Sequence, residues 1–282
     1  MTLNRRVRRI QGKIVFIGTR RAMRLGAACA LTALSACQTP PPDPALATHF
    51  KRVGVVSVTA TALTVHAPGA SSYDDSRSVK DISAWAVDRA YEEQLAVAVQ
   101  SISGATAVRG TAAPADLARM NDPSTPFVQP GFWSYPADPT AASIRAYCAR
   151  NQMDALVVAS ASVDDDVLGG TYHPISGAGV YVQGGNHLLY LSTALTLIDC
   201  ETGRPLVRGR VASGRSFAAS HGYPVRDLAQ APAAGVAWSS QDEQRIQQAL
   251  IALPGQAWAD TLQGMIHADE PPIFGRTMLP GT

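Results

Sequence analysis

Chemistry first follows from spacing at Leu34-Ser35-Ala36-Cys37, which closes an apolar run beginning just after Met23 and Arg24. Small residues fit the tight subsites of a signal peptidase, and a cysteine thiol is nucleophilic enough to take a diacylglycerol group before the leader is cut away. The expectation is lipidation at Cys37, with fatty acyl chains such as palmitate holding the rest of the chain to a membrane. Once Cys29 leaves with the leader and Cys37 is acylated, Cys148 and Cys200 remain. In an oxidising envelope compartment an even pair forms a bridge. Two separately buried small hydrophobes fit the same spacing, and both readings stand.

The other reactive side chains build no recognisable centre. Asp164-Asp165-Asp166 lacks the alternating spacing and the glycine of a calcium loop and reads as a solvated turn. His173, His187 and His221 share no His-x-x-x-His or Cys-x-x-Cys spacing that would pin two of them to one zinc ion, so no metal is expected. Gly209 to Gly214, with Ser213 inside, misses the spacing of a nucleophile elbow, and Ser213 reads as a strand-end residue. Gly177-Ala178-Gly179 is not followed by the third glycine of a dinucleotide loop, and no Gly-Lys-Ser/Thr cradles a phosphate. No catalytic residue, cofactor or nucleotide is expected. The segment Gly169 to Gly185, with Tyr172, His173 and Tyr181, joins flexible backbone to aromatics. It is the expected interaction loop, acting by strand addition at a sheet edge, against the plainer reading of an irregular hairpin.

Around these residues the chain divides clearly. The 12-residue run Leu25 to Ala36 is short of the roughly 20 apolar residues of a bilayer span, and fits the ~7 to 15 of a secretory core. A buried helix of the folded domain is the competing reading. Residues 1–36 are expected to be the signal peptide. Translation beginning at Met23 and a twin-arginine signal at Arg20-Arg21 are alternative readings of its upstream part. Eight of the 24 basic residues and none of the 22 acidic ones fall in 1–36, so the remainder carries a net charge of −6. Lysine is nearly absent there, with Lys51 and Lys80 alone. A chain without a basic cluster lacks the electrostatic footprint of a nucleic-acid binder. Residues 37–49, with Pro40-Pro41-Pro42-Asp43-Pro44, read as an extended tether reaching ~3 Å per residue.

Residues 50–268 are one domain's worth of chain, followed by an irregular tail over 269–282. Arg52 to Val58 is a dense β-branched strand, with Ala62 to His66 expected to return as its hairpin partner. Val87, Tyr91, Leu95, Ala98, Val99 and Ile102 recur at helical spacing, with Asp88, Glu92 and Glu93 expected on the solvent side. A helix over Pro139 to Asn151 and a buried strand over Ala155 to Ala161 follow. Tyr181-Val182, Leu188 to Ile198 and Leu206 to Val211 are then separated by turn chemistry at Gly184-Gly185-Asn186 and Asp199 to Gly203, which predicts an antiparallel meander. Ser240 to Glu243 has the form of a capping box opening a final helix that Pro254-Gly255 should break. The fold class is α/β: a mixed, largely antiparallel sheet packed with helices as a sandwich.

A tethered lipoprotein whose domain opens with Arg52-Val53-Gly54-Val55-Val56, and later carries Ala194 to Asp199 followed by Thr202-Gly203, resembles uncharacterised proteobacterial envelope lipoproteins. At the level of fold these resemble the curli-secretion lipoprotein and the lipoprotein activator of penicillin-binding proteins. The resemblance implies an α/β sandwich that binds other envelope proteins and has no catalytic centre. The chain departs from the curli pore pattern in lacking an amphipathic hairpin pair for a barrel. In lipoproteins an aspartate directly after the acylated cysteine favours inner-membrane retention. Gln38 stands there, which implies the outer membrane, periplasmic face. Two functions remain: a lipid-anchored binding or assembly module with an envelope protein as partner, and a periplasmic hydrolase whose residues meet only in the fold.

Overall fold

The computed structural model describes residues 50–67, 76–111, 113–115, 117, 139–164, 175–183, 185–211, 223–232 and 234–266. These lie within one compact unit, Pro41–Thr282. Cys37 with its leader and tether, and the tail after Ile266, fall outside the described residues.

Strand β1 (Arg52–Val58) carries five consecutive buried residues, the pattern of a strand covered on both faces. It pairs in parallel with β4 (Thr106–Arg109) on one edge and with β5 (Ala155–Ala161) on the other. Both edges are therefore taken, and β2 (Ala62–Ala67) is not its hairpin partner as the sequence predicts. β2 instead pairs antiparallel with β3 (Ser76–Asp81) and in parallel with β7 (Ile175–Gln183). The sheet runs in the order β3, β2, β7, β8, β5, β1, β4.

The long strand β8 (Asn186–Asp199) holds the two halves together. Its first half pairs with β7 and with β10 (Val225–Leu228); its second pairs with β5 and with β9 (Arg204–Arg210). The two-residue β6 (Val163–Asp164) continues the line of β5 onto β7. The meander β7-β8-β9 is antiparallel, as its turn residues predict. Asp199 closes the second turn by accepting from the Thr202 hydroxyl at 2.7 Å and from Glu201 N at 3.1 Å. Gly203 adopts the left-handed φ of +69° that completes it.

On one face lie α1 (Val87–Ser103), α3 (Ser240–Ile251) and α4 (Gly255–Ile266). Val87, Tyr91, Leu95 and Val99 form the buried stripe of α1. They meet Val53, Val55, Val157 and Leu195 of the sheet within one continuous core. Tyr91 donates to the Leu250 carbonyl at 2.8 Å and meets the Trp258 ring edge-on at 5.0 Å. Pro254-Gly255 separates α3 from α4, as predicted. The capping residue of α3 is Ser239, one position before the expected Ser240. Its extended backbone lets Oγ accept from Asp242 N at 3.1 Å, while Glu243 turns to Lys80 at 2.7 Å.

The opposite face carries α2 (Pro139–Asn151), whose Ile144, Tyr147 and Cys148 cover Val56, Leu156, Val158 and Ile198. Cys148 is bonded to Cys200, just past β8. Arg145 donates to the Thr202 carbonyl at 3.0 Å, and a Cβ on Gly203 would strike the Ala141 carbonyl. The helix is thus fastened to the β8-β9 turn by a covalent bond, a hydrogen bond and a close approach.

Candidate functional site

Where β1 ends, the chain turns through Thr59 and Ala60 toward β2, and the first turn of α1 sits over that turn. The helix begins after Ala86, which has a left-handed φ of +52° and no side-chain cap. Asp88 accepts there from Ser57 Oγ at 2.7 Å, Thr59 N at 2.9 Å, Thr59 Oγ1 at 2.9 Å and Ala60 N at 3.2 Å. Glu92, one turn on, accepts from Ser57 N at 3.2 Å. Two of the acids expected on the solvent side of α1 therefore face the strand end. Buried backbone donors must be paired, and here the sheet supplies no partner for them.

The constellation of two hydroxyls and two carboxylates superficially suggests a hydrolytic centre. Its hydrogen bonding shows a clamp. Asp88 is saturated by backbone N–H and hydroxyl donors, and among the described residues no histidine stands against Ser57 or Thr59 to take a proton. Nor do three His, Cys, Asp or Glu side chains gather as metal ligands among the described residues.

Burial, foremost, and the charge of Asp88 hold the Glu92 carboxyl above its ordinary value of 4.5, against the lowering effects of Ser57 N–H, Arg109 and Arg89. A carboxyl raised in the folded state binds protons more tightly there than in the unfolded chain, so its ionisation destabilises the fold as pH rises. Glu92→Gln keeps an acceptor for Ser57 N. It should raise the thermal midpoint at pH 7, with the gain shrinking as pH is lowered toward 4.5. A gain independent of pH would contradict this origin.

The outermost strand, β3, pairs only with β2 among the described residues. Its register alternates the faces. Ser78 and Lys80 oppose Val65 and Leu63 on the helix side; Arg77 and Val79 oppose His66 and Thr64 on the other. On the helix side the surface is occupied: Gly235 N donates to Ser78 Oγ at 3.2 Å, and Lys80 Nζ lies 5.5 Å from the Trp238 ring centre. On the other side Val79 is 64% exposed and Arg77 is exposed beside it.

The residues singled out in the sequence are dispersed. Cys37, Tyr172 and His173 lie outside the described residues, as do His221, Ser213, Asp165 and Asp166. Tyr181 is 2% exposed, its ring packed edge-on to His66 at 5.3 Å in a cluster with Ile175, Tyr190 and Tyr223. β7 carries Tyr181 between β2 and β8, so no edge is free at that residue for an added strand. His187 accepts from Ala231 N at 3.0 Å, a loop-fastening contact. Gly179 lies against the Tyr190 hydroxyl and the Thr64 carbonyl, so its missing Cβ serves packing. Cys148 and Cys200 are joined to each other as described above. The clamp escaped the sequence reading because Asp88, Glu92 and Glu93 are grouped there as the solvent side of α1, although Asp88 stands three and seven residues before Tyr91 and Leu95 of the buried stripe. That spacing, with a Ser-x-Thr at the end of a buried strand, was the available signal.

Among the described residues no helix is long and apolar enough to cross a membrane. No protein-family model matches the chain, and no curated protein matches it. Among solved structures, the LpoB C-terminal domain from Salmonella enterica is similar over 64% of this chain and 89% of that one, at 12% sequence identity and a TM-score of 0.22.

Proposed function

We propose that this chain is a lipid-anchored protein of the outer membrane, facing the periplasm, whose α/β domain is a non-catalytic binding or assembly module for another envelope protein. The leader, Cys37, Gln38 and the proline-rich tether support the anchoring. The observation that carries the binding role is the outer edge of β3, which has no strand partner among the described residues. An open edge presents unpaired N–H and C=O groups that an extended partner segment can join, with alternate side chains giving specificity. Here Arg77 and the 64% exposed Val79 would read such a segment on the face opposite the α1 side. The clamp at Asp88, every donor of which ends on a carboxylate, supports a structural use for the polar residues of the β1 end.

The test uses the full chain in envelopes, with a photo-crosslinking amino acid at Val79 and, as control, at Val97 of α1, which is 70% exposed. A discrete cross-link to an envelope protein is expected from position 79 and lost in Arg77→Glu; position 97 should give none. In the same cells Cys37→Ser should leave the leader attached, because a hydroxyl cannot replace the thiol in lipid transfer. Equal labelling at both positions, together with turnover of an ester or peptide panel by the unmodified chain, would overturn this reading in favour of a hydrolase.

A further inference from the structure

Strand β9 carries three arginines, and one of them stands apart. Arg204 and Arg210 are exposed, whereas Arg208 is half-buried. Charges on an edge strand ordinarily lie in water and repel a stray partner strand, which accounts for the first two. Arg210 also donates to the Val163 carbonyl at 2.7 Å. Arg208 makes no hydrogen bond and no ion pair among the described residues, and the charge acting on it is the like charge of Arg210.

Across the ladder Arg208 is registered directly against Thr196, and Arg210 against Ala194. Thr196 lies on the same face as Val158 and Ile198, the α2 side of the sheet. It is 2% exposed, and its hydroxyl has no hydrogen-bond partner among the described residues. Directly opposed residues of an antiparallel pair hold their Cβ atoms roughly 5 Å apart, so the orphan hydroxyl lies beside the arginine stem. Two unmet donors of different chemistry thus share one rung, and a second guanidinium lies on the next.

A guanidinium cannot escape burial by losing its proton in a protein. Burial, followed by the Arg210 charge, does push Arg208 down from its ordinary value, which measures how poorly its charge is compensated. A buried hydroxyl left unpaired is likewise costly. Both deficits are met by one kind of group. An oxyanion accepts two parallel N–H bonds from an arginine fork and a third from a hydroxyl.

We infer that Arg208 and Thr196 form a receptor site for an oxyanion, a carboxylate or a phosphate group, with Arg210 adding charge from the neighbouring rung. The site lies on β9, separated from β3 by the intervening strands, and is independent of the edge proposed for the partner.

The experiment follows the thermal midpoint of the full chain in low-salt, anion-poor buffer while inorganic phosphate or succinate is titrated in, with sodium chloride at matched ionic strength as reference. A saturable rise beyond the chloride reference is expected. A response to phosphate alone assigns the site to phosphate groups, and one to succinate alone assigns it to carboxylates; either supports the site. Arg208→Met should raise the midpoint in the anion-poor buffer and abolish the response. Thr196→Val preserves shape and guards against a folding failure of the first variant. It should weaken half-saturation about tenfold, the value of one charge-assisted hydrogen bond. A response no greater than that to chloride, or one that survives both substitutions, would overturn the inference.

Discussion

Replacing Cys148 and Cys200 together with alanine should lower the stability of the fold by about 4 kcal/mol, the chain-entropy cost of opening a loop of this length. The bridge spans a sequence separation of 52 residues. Much of that segment is β5, β7 and β8, which form the middle of the sheet. Cys148 is also part of the second core, with Ile144, Tyr147 and Ile198, so truncating it removes packing as well. Reductant should act on the unsubstituted chain in the same direction. Urea denaturation with and without dithiothreitol, accompanied by a free-thiol count at these two positions in denatured, unreduced protein, measures both effects. Identical midpoints in the two conditions, with two titratable thiols, would show that the sulfurs are separate in the protein. The outcome also bears on the compartment, because bridges of this kind persist where the surroundings are oxidising.

The second large effect is expected at Asp88. Asp88→Ala leaves Ser57 Oγ, Thr59 N, Thr59 Oγ1 and Ala60 N without their shared acceptor, while Ser57 and Thr59 are each 6% exposed. A buried donor without a partner costs more than a hydrogen bond gains, so the sum should reach about 3 kcal/mol even after some water enters. Asp88→Asn retains one accepting oxygen and should cost about 1 kcal/mol, since bonds to a neutral acceptor are weaker than bonds to an ionised one. Chemical denaturation of the two variants separates the contributions. A loss under about 1 kcal/mol for the alanine variant, against the ordinary effect of a surface substitution, would mean that Asp88 is no clamp. If activity toward an ester were found and Asp88→Asn abolished it without changing stability, the carboxylate would belong to a reaction instead.

Where the signals were local, the fold was legible in advance. Helix α2 and strand β5 follow the predicted ranges, because a proline start and an unbroken β-branched run are each read within a few residues. The β8-β9 turn was legible because Asp199, Thr202 and Gly203 supply the side-chain acceptor, the hydroxyl and the positive φ the turn requires. The capping box of α3 was off by one residue, because adjacent serines offer the same oxygen and only the backbone angle of Ser239 selects between them. Pairing was less legible. The short link between β1 and β2 invited a hairpin, but a strand buried on both faces takes parallel neighbours, and that choice depends on segments about 50 and 100 residues away.

By itself the amino-acid sequence determined the α/β class, most helix and strand positions, and the presence of a leader-like segment over 1–36, directly before Cys37, since each depends on neighbours along the chain. Only the tertiary structure decided that Tyr181 is a core residue, that Asp88 serves a distant strand end, that β3 pairs with β2 alone among the described residues, and that Thr196 and Arg208 share a rung. Those facts arise from register and burial. Both are set by packing between segments remote in sequence, where the free energy of hiding apolar surface outweighs any preference a short stretch can express alone.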